Sequence, residues 1–95
     1  MATLNKKQRE YRDRTSAEAA VEMAVDRGKK AGIAVDDQAK VTVMVERVVR
    51  ALEERGVTYT IETRIAGTTV ALEKGGGSVY VFAADKLIPP SQRLN

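Results

Sequence analysis

The stretch "IAVDDQAKVTVMVERVVRALEERG", Ile33–Gly56, decides how this chain folds. Within it "KVTVMV", residues 40–45, alternates as a strand does, and valine favours strands. Over a longer window the pattern changes. Val41, Met44, Val45, Val48, Val49 and Leu52 recur at three and four residues and form one continuous helical stripe. Asp36 is suited to the N-cap and Asp37 to the first turn. Gly56 supplies the C-terminal stop. The caps and the longer period agree, so the stretch reads as a helix.

Upstream, "TSAE", Thr15–Glu18, has the capping-box pattern. It predicts a helix starting near Ser16, with Ala17, Ala20, Val21, Ala24 and Val25 on one narrow face. That helix should end around "RGKKAG", where basic residues complement the dipole and Gly28 or Gly32 can take the left-handed cap.

Downstream, the period falls to two. "VTYTIETRI" places Val57, Tyr59, Ile61 and Ile65 on one face, with Thr58, Thr60, Glu62 and Arg64 opposite. "AGT" turns the chain, "TTVALEK" forms a second strand, "GGG" turns it again, and "SVYVFAA" forms a third. Pro89-Pro90 cannot extend a sheet. The expected fold is α+β: two helices followed by a three-stranded antiparallel meander, with the helices on one sheet face. The expected divisions are a basic flexible arm over residues 1–14, a single domain over 15–88 and a C-terminal tail over 89–95.

Composition narrows the chemistry. The 95 residues contain no His and no Cys. Zinc sites of the Cys/His kind, thiol nucleophiles and disulfides are therefore excluded, as is the usual base near neutral pH. No calcium-loop spacing is present. "EKGGGS", Glu73–Ser78, lacks the order of a phosphate loop, because its lysine precedes the glycines and a strand follows; it reads as a hairpin loop. Without histidine a serine nucleophile lacks its usual activating base. The expectation is a protein that is not an enzyme and takes no cofactor or metal. No apolar run suits a signal peptide or a membrane span, so the expected setting is cytoplasmic and off the membrane.

Charge is unevenly placed. Lys6, Lys7, Arg9, Arg12 and Arg14, against Glu10 and Asp13, give residues 1–14 a charge of 5 − 2 = +3. The other residues hold 11 basic and 11 acidic groups, so the whole formal excess of +3 lies in the arm. One reading is nucleic-acid binding: Lys6, Lys7, Arg9, Arg12 and Arg14 neutralise phosphates, and Tyr11 stacks on a base. The preferred reading is a small non-catalytic protein-binding module. Accessory, regulatory and inhibitor proteins, phage- or plasmid-borne ones among them, have this character. Its candidate contacts are Tyr80 and Phe82, with Glu62 and Arg64. Aromatic residues are enriched at interfaces. Tyr80 and Phe82 share one face of the third strand and Val79 and Val81 the other, and the sequence does not say which pair meets the helices. Self-association through a sheet edge or a helix face fits the same observations.

Overall fold

A computed structural model describes residues 6–84 of the protein, with side chains from residue 16 onward. The helix over the deciding stretch is α2, Gln38–Glu54. Asp37, not Asp36, is its N-cap: Asp37 is extended (φ −148°, ψ 171°), and its carboxylate accepts from the Lys40 N–H at 3.2 Å. Asp36 instead pairs with the Lys40 ammonium at 2.8 Å. The helix closes through Gly56 at φ 67°, with the Val57 N–H donating to the Leu52 carbonyl and the Gly56 N–H to that of Glu53. Those two bonds are the Schellman arrangement. Val41, Met44, Val48 and Leu52 form the buried stripe.

The first helix, α1, runs Lys6–Arg27. Thr15 and Ser16 therefore lie in mid-helix, and the capping box does not start it. The residues before them are mostly good helix formers (Lys, Gln, Arg, Glu), so the helix extends back past a weak local start signal. Ala17, Ala20, Val21 and Ala24 are buried along one narrow face. Small side chains there let α1 lie close to its neighbours. Gly28, at φ 62°, ends the helix.

The architecture differs from the expected two helices and three-stranded antiparallel meander. "KAGIAV" is neither helix end nor loop but strand β1, Lys30–Val35, placed between the two helices. The remaining strands are β2, Tyr59–Thr63, β3, Gly67–Leu72, and β4, Ser78–Ala83. The order is helix, strand, helix and then three strands, and the sheet is four-stranded and mixed: β1-β4-β3-β2. The β2-β3-β4 portion is antiparallel, whereas β1 lies parallel to β4. The physical cause is burial. Ala31, Ile33 and Val35 alternate into the core beside Val79, Val81 and Ala83, extending the surface that the helices cover.

Both helices pack on the same sheet face, over β1, β4 and β3. The core joins the α1 and α2 stripes to Val70, Leu72, Val79 and Val81. Among the described residues, no helix is long and apolar enough to cross a membrane.

Candidate functional site

Val79 and Val81 are fully buried under the helices, so the pleat turns Tyr80 and Phe82 to the opposite face. Among the described residues, no helix covers that face. The two rings stack along β4, with centroids 5.3 Å apart and planes at 22°. Both side chains are half-buried.

The register builds the surroundings in cross-strand rows. One row runs Glu62, Thr69, Tyr80, Gly32. The next runs Arg64, Gly67, Phe82, Ala34, with the Arg64 N–H donating to the Gly67 carbonyl at 2.7 Å. A third runs Thr60, Ala71, Ser78, Lys30. The aromatic pair therefore forms a ridge on a central strand, flanked on both sides by Gly, Ala and Thr. A shallow depression lies beside Tyr80, lined by Lys30, Gly32, Thr69 and Ser78.

The glycines are part of this geometry. A Cβ on Gly67 would sit 2.2 Å from the Val81 carbonyl oxygen and 2.9 Å from the Phe82 Cα, so no side chain fits there. At Gly32 a Cβ would meet only the Phe82 ring, at an ordinary 3.5 Å. In the sequence Gly67 reads as a turn residue and Gly32 as a helix cap. Their place beside the rings follows from pairing with β4, and no local pattern announces it.

The four expected contact residues, Tyr80, Phe82, Glu62 and Arg64, all lie on this helix-free face. The Arg64 guanidinium bonds the Glu62 carboxylate at 2.5 Å. Both side chains are well exposed. The charges at this rim cancel locally, and Lys30 stands across the sheet. The side chains of Lys6, Lys7, Arg9, Tyr11, Arg12 and Arg14 lie outside the described residues, as do residues 85–95; the backbone of residues 6–14 belongs to α1.

The Tyr59 hydroxyl is displaced from its ordinary behaviour. The Tyr59 hydroxyl donates to the Glu53 carboxylate at 2.9 Å. This bond holds the proton and raises the Tyr59 pKa, with smaller contributions from burial and from the Glu53 charge. The contact ties the start of β2 to the last turn of α2, away from the aromatic face. Among the described residues, no group of three acidic, His or Cys side chains is placed to hold a metal ion. What the face offers is shape, stacked rings and small polar groups, which suit binding by surface complementarity.

Comparison with family models, with curated proteins and with solved structures returned no match to this chain.

Proposed function

We propose that this protein is a non-catalytic binding module that engages another protein through the helix-free face of its sheet. The observation that carries the reading is the stacked Tyr80–Phe82 ridge, half-buried and bordered by Gly32 and Gly67. A folded domain that had no use for this face would favour polar groups there, as alternating antiparallel strands usually carry. Rigid rings standing over small neighbours offer apolar area at low entropic cost, the property that makes aromatic residues anchors. The Glu62–Arg64 pair and Lys30 form a polar rim that favours one orientation of a partner. The face carries little net charge, which argues for a protein rather than a nucleic-acid backbone. An accessory or inhibitor role, acting by occlusion, suits such a module.

The test compares the wild type with a Tyr80→Thr/Phe82→Thr variant as immobilised bait in extract of the native source, at low and high salt. The reading expects a protein retained by the wild type at both salts and lost from the variant. Identical retention by the two baits would refute it.

A further inference from the structure

Strand β2 is an outer edge of the sheet and the least covered strand in the fold. Thr60, Ile61, Glu62 and Thr63 are all exposed. Ile61 keeps 50% of its surface in solvent and Ile65 keeps 90%, although they share a strand face with Val57 and Tyr59, which pack against the core. The reason is reach: the helices lie over the other three strands.

The ladder to β3 fixes which backbone groups of β2 are already used. The Arg64 N–H donates to the Gly67 carbonyl, and the Glu73 N–H to that of Thr58. Bonded and non-bonded pairs alternate in an antiparallel ladder. Residues 58, 60, 62 and 64 therefore aim their backbone groups at β3. Tyr59, Ile61 and Thr63 aim theirs outward, where no strand of the described residues meets them.

We infer that this edge pairs with the same edge of a second copy of the chain, antiparallel, about a two-fold axis at Ile61. In that register the outward groups of Tyr59, Ile61 and Thr63 meet those of Thr63, Ile61 and Tyr59 of the second copy, and two four-stranded sheets become one. On the helix side Ile61 packs on its own counterpart, and Ile65 comes opposite Val57, where the second copy's chain leads into β2. On the other side Glu62 faces Thr60 and Arg64 faces Thr58. Each Glu62 keeps its own Arg64, and no like charges stand directly opposed. Moving the axis to Glu62 would set the two carboxylates against each other. A one-residue slip would mismatch outward with inward backbone groups. Such self-complementarity is what an isologous interface requires. The β1 edge offers less: Ala31, Ile33 and Val35 are already 7–8% exposed under the helices, and an exposed lysine, Lys30, opens the strand. Edge lysines discourage strand pairing.

The inference is independent of the aromatic face, and its test uses different residues. Light scattering on the full chain, from about 1 μM to about 1 mM, should show the mass rising from 10.4 kDa toward twice that value. Ile61→Pro removes only an outward N–H, which proline tolerates on an edge. It should keep the wild-type circular-dichroism spectrum and stay monomeric throughout. Because the chain has no cysteine, Ile61→Cys offers a second readout. Under mild oxidation it should cross-link to itself at least tenfold faster than Ala34→Cys on the β1 edge, and it decides the matter should the proline variant unfold. A wild type that is monomeric across the range would overturn the inference. So would a dimer that survives Ile61→Pro or cross-links preferentially through Ala34→Cys.

Discussion

Replacing Gly77 with alanine tests how closely the β3–β4 loop packs against α1. Gly77 ends the loop between β3 and β4 and is buried. Its φ is not in the left-handed region, unlike those of Gly75 and Gly76, so the methyl group causes no backbone strain of its own. The conflict is with α1. A Cβ at Gly77 would lie 2.1 Å from the Ala24 carbonyl oxygen, 2.8 Å from its carbon and 3.0 Å from the Ala24 Cα. Ordinary contact begins at 3.4 Å, so the shortfall is 3.4 − 2.1 = 1.3 Å, and it falls on backbone that cannot rotate aside. Either α1 lifts or the loop moves. Lifting α1 opens gaps beneath Ala17, Ala20, Val21 and Ala24, and a gap of that order forfeits about a quarter to a half of each dispersion contact. The expected loss is about 3 kcal/mol, the upper end for overpacking. At about 4–8 °C per kcal/mol for a domain of this size, the melting temperature should fall by about 12–24 °C. Gly76→Ala is the comparison: φ is 72° but nothing lies within 4 Å. It should cost only the left-handed penalty of about 1–2 kcal/mol. Urea unfolding followed by circular dichroism gives both values. A Gly77→Ala loss no larger than that of Gly76→Ala would refute the close approach of α1.

Three further outcomes are expected. Asp37→Ala should cost about 1 kcal/mol by removing the cap of α2, whereas Asp36→Ala should cost less than about 0.5 kcal/mol, as an exposed pair contributes little; equal losses in urea would contradict the cap assignment. Tyr59 should ionise above the ordinary tyrosine value of 10.0, and Glu53→Gln should bring it back down, read by ultraviolet absorbance in a Tyr11→Phe/Tyr80→Phe background. Because the folded pKa is the raised one, the stabilisation from this bond is intact below pH 10.0 and is lost as pH climbs through the elevated value. In anisotropy titrations with duplex DNA and RNA, the full chain and a version starting at Thr15 should both fail to bind; binding by the full chain alone, weakening with salt, would move function to Lys6–Arg14.

The legible parts of the fold were those written in local periodicity. The stripe from Val41 to Leu52 outweighed the short alternation in "KVTVMV", and the two turns around Gly67 and Gly75–Gly77 announced β2, β3 and β4. Strand β1 was not legible, because both of its faces are small or apolar: Ala31, Ile33 and Val35 inward, Gly32 and Ala34 outward. No polar alternation marks it, and its pairing with β4 joins residues far apart in sequence, which no local window contains. Thr15–Glu18 misled for the opposite reason, a clear local start signal overridden by helix-forming residues before it. At the candidate face the sequence named Tyr80 and Phe82 but not their direction. Which pair turned inward depended on where the helices lay. Ile61 shows the same limit, since a strand pattern assigns faces and does not say how far the opposing layer extends.

The parallel pairing of β1 with β4 has a consequence for synthesis. Among the described strands, β1 has only β4 as a neighbour. A ribosome finishes β1 at Val35 and β4 at Ala83, 83 − 35 = 48 residues later. At about 5–20 residues per second that interval is roughly 2–10 s. During it Ala31, Ile33 and Val35 have emerged or are emerging with no strand to join, and the first half of the chain cannot settle by itself. The domain should therefore close late and all at once, and nascent chains stalled before Ser78 should be sensitive to protease along their whole exposed length.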